Sequence, residues 1–186
     1  MGIINLPSPN DQTGAYYPGR NGYNYSSCFS AATSILTPDG SKRISDLKKD
    51  EILYSWDKAS GQLLAHTVKE LRVSEGPMAL TKVSHQHGAI EATGTHTVLV
   101  QQGKKKVWRE VSELQKGDVL MVWQDGRLTP SVVTGTDDLG PQQVYNLDIE
   151  GGDNFIADGV VAHSYAMMPK GRRFSGVRRL LRHLSS

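Results

Sequence analysis

The chain contains one short unit twice. Ile44-Ser45-Asp46-Leu47-Lys48-Lys49-Asp50-Glu51-Ile52-Leu53-Tyr54 matches Val111-Ser112-Glu113-Leu114-Gln115-Lys116-Gly117-Asp118-Val119-Leu120-Met121 position by position, and Trp56 then falls on Trp123. In both copies a strand, a Gly-containing turn and a basic patch come first, Leu36 to Arg43 and Leu99 to Lys106. A hairpin turn follows the match, at Ser60-Gly61 and at Asp125-Gly126. A repeat of this kind is a supersecondary unit that cannot bury its apolar face alone. Two copies with unsatisfied edge strands can pair across a pseudo-two-fold axis, covering those edges and building one shared core. Such a fold would bring the two ends of the body together near the axis.

The rest of the body reads as β structure. Ser34 to Thr37 runs into the turn Pro38-Asp39-Gly40, Glu51 to Trp56 is a short apolar strand, and alternation from Leu63 to Val73 suits a long half-buried one. Further strands are expected near Ala79 to Ser84, Thr97 to Gln101, Lys106 to Glu110, Val119 to Trp123, Ser131 to Thr136, Gln143 to Ile149 and Asn154 to Ala162. Turn signals stand at Gly76-Pro77, Gln102-Gly103, Gly140-Pro141, Gly151-Gly152 and Asp158-Gly159. The expectation is an all-β body with a few short helical turns.

Length sets the outer bounds. At 186 residues the chain suits one domain with flanks, large enough to form a core without disulfides or metals. No apolar run approaches a bilayer-spanning length. Met1 to Leu6 lacks the pattern of a signal peptide, and Leu6 stands where a myristoylation signal wants Ser or Thr. A lone thiol fits a reducing cytoplasm, the favoured location. Residues 1–27, rich in Asn, Gly, Pro, Ser and Tyr, read as an extended flank. At the other end Lys170, Arg172, Arg173, Arg178, Arg179 and Arg182 have no acid among them, although the whole chain carries only +2. Phe174, Val177, Leu180, Leu181 and Leu184 recur at helical spacing within the basic flank, residues 165–186, so the segment after Gly171 could form a basic amphipathic helix for anionic lipid, nucleic acid or an acidic partner. The other reading of that flank is a solvated tail.

Cys28, in Ser26-Ser27-Cys28-Phe29-Ser30, is the only cysteine. Most lone cysteines are small buried hydrophobes. Here, Val161-Ala162-His163-Ser164 closes the same apparent domain. A thiol beside a bond it could attack, with a histidine at the far end, suggests self-processing in a single turnover. Taken alone, Thr93-Gly94-Thr95-His96 is a strand end with a satisfied histidine. His85 and His87 read as an exposed hairpin pair, and two ligands do not make a metal site. His66 and His183 carry no signal. No phosphate-cradling loop, Walker motif or G-x-S-x-G elbow is present, and no cofactor or metal is expected.

Taken together, Cys28-Phe29, the Leu-Thr-Pro-Asp-Gly turn, Ile44 to Leu47 and its repeat, Thr93 to His96, and Val144-Tyr145-Asn146-Leu147 through Asn154-Phe155 to His163 resemble the Hint family of Hedgehog autoprocessing domains and inteins. The resemblance covers Cys28 to Ser164. Without an endonuclease-sized insert, it is most similar to a mini-intein or bacterial intein-like domain. It implies a flat, horseshoe-like all-β fold of two pseudo-two-fold related subdomains, acting as a monomer on its own flanks. It also implies that Cys28 attacks the carbonyl of Ser27 to give a thioester, that His96 protonates the amide nitrogen of Cys28, and that Thr93 orients the same peptide. An outside thiol or water would take the acyl group.

The second half departs from the family pattern. Splicing inteins follow the histidine with an asparagine that cyclises, whereas here His163 precedes Ser164, and a hydroxyl cannot make a succinimide. Tyr165 offers no Cys, Ser or Thr nucleophile. Either serine replaced the asparagine, or the asparagine was lost and Ser164 is itself the downstream nucleophile. Asn146 stands where many inteins carry aspartate; it can donate a hydrogen bond but cannot be a base. Asp153 stands where a second histidine often precedes the Asn-Phe pair, and it reads equally as a turn-forming carboxylate. His163 would act as acid or oxyanion donor at the C-terminal junction. A scaffold presenting the basic tail is the alternative reading.

Overall fold

The computed structural model describes residues 27–164. Residues 1–26 and 165–186 lie outside the described residues, and with them Tyr165 and the basic amphipathic segment. The strands are β1 (Phe29–Ser30), β2 (Ser34–Thr37), β3 (Gly40–Arg43), β4 (Ile52–Trp56), β5 (Leu63–Val73), β6 (Met78–His85) and β7 (Gly88–Ala92), followed by β8 (Thr97–Gln102), β9 (Lys105–Glu110), β10 (Val119–Gln124), β11 (Arg127–Gln142), β12 (Val144–Glu150), β13 (Asn154–Ala157) and β14 (Val160–His163). Two single-turn 3-10 helices, Ile44–Asp46 and Val111–Glu113, are the only helical elements among the described residues. No helix there is long and apolar enough to cross a membrane. The body is all-β, as its sequence implies.

The duplicated unit folds the same way twice, bond for bond. Ile44 N donates to Thr33 O and Val111 N donates to His96 O, both at 2.8 Å. A carboxylate caps each turn: Lys48 N donates to Glu51 Oε2 at 2.9 Å, and Gln115 N to Asp118 Oδ2 at 2.8 Å. Asp50 at φ 71° and Gly117 at φ 97° occupy the same left-handed corner, which aspartate tolerates and glycine adopts freely. The apolar positions fall together as well: Ile44 with Val111, Leu47 with Leu114, Leu53 with Leu120, and Val68 with Val133 are all buried in one core.

Each long strand then leaves its own half. β5 pairs with β4 through Leu63 to Thr67, and with β12 through Thr67 to Val73. Likewise β11 pairs with β10 from Arg127 to Val132, and with β6 from Val133 to Gln142. All pairings among the described residues are antiparallel, and the largest cluster of buried apolar side chains draws on both halves. Three sequence expectations change. Gly140-Pro141 lies inside β11, where the register shifts between Asp138 and Gly140 let the strand bend instead of turning. The stretch from Asn154 to Ala162 is two strands, folded back at Asp158-Gly159. β1, β3 and β7 were unforeseen, and β7 closes one side of the site described next.

Candidate functional site

Cys28 enters the sheet between two strands. β1 pairs with β12 at Phe29↔Tyr145 and with β7 at Phe29↔Ala92. Continued by one residue, the first register sets Cys28 across from Asn146, and by two sets Ser27 across from Leu147. Thr93, just beyond β7, grips the same segment. The amide N of Cys28, which is the nitrogen of the Ser27–Cys28 bond, donates to Thr93 Oγ1 at 2.9 Å, and Thr93 N donates back to Cys28 O at 2.9 Å. Ser27, Cys28 and Thr93 are all buried.

The thiol sits among Leu80, Val144, Met78 and Leu139. Loss of water penalises the thiolate, and burial pushes Cys28 up to about 12. His96 is equally dry. Its ring packs against Phe29 with centroids 4.1 Å apart and planes tilted by 52°, and burial pulls its imidazole down to about 3. The backbone of His163 and that of Ser27 oppose that shift, while the charge of the His163 ring adds to it. A backbone contact that favours the charged ring is one to a carbonyl oxygen, so one imidazole lies between the two junctions of the body.

The far junction is assembled by β13 and β14. His163 faces Asn154 in the register of that hairpin, and Ser164 N donates to Asp153 O at 2.7 Å. Ser164 is buried, and its Oγ reaches Leu147 O at 3.4 Å. Burial lowers the His163 pKa, and the charge of Asp153 opposes that. The Asp153 carboxylate accepts from Asn154 Nδ2 at 2.8 Å. Asn154 in turn clamps Trp56, accepting from its N at 2.8 Å and donating to its O at 2.9 Å.

Ser27, Cys28, Thr93, His96, His163 and Ser164 therefore converge, with Asn146 buried on the neighbouring strand and Asp153 beside His163. Trp108 was missed by sequence reasoning: its indole meets the His163 ring edge-on, centroids 4.9 Å apart. No local pattern links residues so far apart in the chain. His85 also corrects an expectation. It is buried rather than exposed, because its Nδ1 lies 2.7 Å from Ser131 Oγ, while His87 stays in the turn. Among the described residues no group of three or more His, Cys, Asp or Glu could hold a metal ion.

Solved structures share this architecture. A DnaB intein from Synechocystis sp. PCC 6803 superposes with a TM-score of 0.67 at 20% identity, covering 75% of this chain and 99% of its own. The body has the Hint fold of inteins. A bacterial intein-like domain from Clostridium thermocellum gives 0.65 at 24% identity, over 74% of this chain and 98% of that one. The PabCDC21-1 intein gives 0.67 at 19%, over 74% and 98%. No sequence-family profile and no curated protein sequence matches the chain. At these identities it is the Hint backbone that is shared.

Proposed function

We propose that this Hint domain cuts its own chain at Ser27–Cys28. One observation carries the reading: the nitrogen of that bond is held by Thr93 Oγ1 at 2.9 Å while His96 lies against the backbone of Ser27. Cys28 Sγ attacks the Ser27 carbonyl carbon, the C–N bond breaks, and the thiol proton ends on Cys28 N. The neutral His96 accepts that proton and delivers it, a role open to an imidazole and closed to a charged one. The developing oxyanion finds a donor in the same ring. Water or an external thiol then takes the acyl group and releases residues 1–27 from the rest.

Processing at the other end differs from splicing. Ser164 has no side-chain amide to cyclise, so cleavage through a succinimide is closed, and Tyr165 is not the Cys, Ser or Thr nucleophile that ordinarily receives a migrating chain. Intact mass spectrometry of the purified chain, with and without dithiothreitol or hydroxylamine and beside Cys28→Ala, tests the proposal. Loss of residues 1–27 from the parent alone supports it. A folded parent that stays whole under both reagents sinks it, and leaves an arrested precursor or a scaffold for the basic tail.

A further inference from the structure

We infer that the other junction carries an acyl-shift centre of its own, in which Ser164 Oγ attacks the carbonyl carbon of His163 and moves the upstream chain from nitrogen to oxygen. Three features of the geometry support this. First, Ser164 is buried, and its hydroxyl has one long contact, 3.4 Å to Leu147 O, so it can turn without losing a strong bond. Second, the leaving nitrogen is anchored, since Ser164 N donates to Asp153 O at 2.7 Å. Thr93 anchors the nitrogen of Cys28 in the same sense. Third, the backbone of His163, like that of Ser27, acts on the buried His96 ring and opposes the loss of its charge. A neutral imidazole has one N–H, so it can polarise one of the two carbonyls at a time.

The step balances as an isomerisation. The Oγ–C bond forms, the C–N bond breaks, and the hydroxyl proton ends on Ser164 N as a free amine. Attack on the preceding carbonyl closes a five-membered ring, so the two groups meet at high effective concentration without further binding. Hydrolysis of the ester would then leave residues 1–163 and a fragment beginning at Ser164 that carries the basic segment. This centre shares His96 with the Ser27–Cys28 reaction but has no need of Cys28. The two readings can therefore fail separately.

The experiment uses the full chain carrying Cys28→Ala, which silences the first junction, incubated with hydroxylamine near neutral pH and read by intact mass. The expected result is a hydroxamate of residues 1–163 together with residues 164–186. Both products should be lost in Cys28→Ala/Ser164→Ala, and cleavage should become faster in Cys28→Ala/Ser164→Cys. Thermal melts of all three chains establish that each is folded. An intact His163–Ser164 bond in folded Cys28→Ala overturns the inference, whatever the cysteine variant does. Cleavage that persists without the Ser164 hydroxyl overturns it too.

Discussion

Burial sets Cys28 and His96, the two groups proposed to react at the first junction, against their charged forms. A thiol pushed up to about 12 and an imidazole pulled down to about 3 are both neutral near pH 7, so the proposed attack starts from a neutral pair, and the thiol proton has to move in concert with S–C bond formation rather than ahead of it. Rate then depends on how well the scissile bond is held. Thr93→Ala removes the acceptor for Cys28 N and leaves that donor buried, a loss of about 1–3 kcal/mol. If that hold is made in the transition state, thioester formation slows by roughly ten- to a hundredfold. Thr93→Ser keeps the oxygen and should stay within a few-fold of the parent; equal loss in both variants would show that Thr93 only packs. Trp108 meets the candidate site through the edge-on contact of its indole with the His163 ring. Trp108→Ala admits water to that ring, so the His163 pKa should rise toward the ordinary histidine value. NMR titration of the His163 ring reads this shift, Trp108→Phe should restore most of it, and an unmoved titration would remove Trp108 from the site.

Hairpins carry these side chains to the axis, and their legibility varied for physical reasons. The duplicated turns were plain in the sequence because Leu47, Leu53 and their twins Leu114 and Leu120 must all face one core. β11 was read too short, since Gly140-Pro141 looks like a turn but marks an irregularity in a long bent strand. β7 escaped because Gly-Ala-Ile-Glu-Ala is short and small; it is a strand only because β1 and β6 flank it. Motif order singled out Cys28, Thr93, His96, His163 and Ser164, with Asn146 and Asp153, as candidates that the fold brings near one another, whereas Trp108 and the buried His85 depend on tertiary pairing. The β13–β14 hairpin offers a test of its own. Asp158, at φ 48°, accepts from Ser34 N at 2.9 Å, and its carboxyl is raised to about 6 by burial, with Glu91 adding to the rise and the Ser34 bond opposing it. A carboxyl raised from 3.8 holds its proton more tightly when folded, so its contribution is full below pH 3.8 and fades as pH climbs through 6. Asparagine keeps the acceptor, tolerates the left-handed backbone and cannot ionise. Asp158→Asn should therefore melt higher than the parent at pH 7.5, with the gap closing at pH 4. A gap of equal size at both values would contradict the assignment.

At the scale of the molecule, exchange of β5 and β11 between the halves ties the two junctions together. β5 completes its pairing on β12, the strand that also carries Asn146 and Leu147, and β11 completes its pairing on β6. Neither half can open without stripping the other, so the body should unfold in one step although its sequence is a duplication. The tryptophans report on this from both sides, because Trp56 ends β4 in the first copy and Trp123 lies in β10 of the second. With Trp108→Phe in each case, Trp123→Phe leaves the first reporter and Trp56→Phe leaves the second. Denaturant titrations followed by fluorescence should give coincident midpoints once each variant is referred to its own far-ultraviolet dichroism. Leu53→Ala and Leu120→Ala, symmetry mates that are both fully buried, should each lower stability by about 2–5 kcal/mol. Each should shift both reporters equally, wherever the cavity lies. A midpoint that moves only for the tryptophan in the mutated half would mean two independent lobes. It would also undo the physical basis for placing both junctions under one His96, since that ring needs backbone from each end of the body at once.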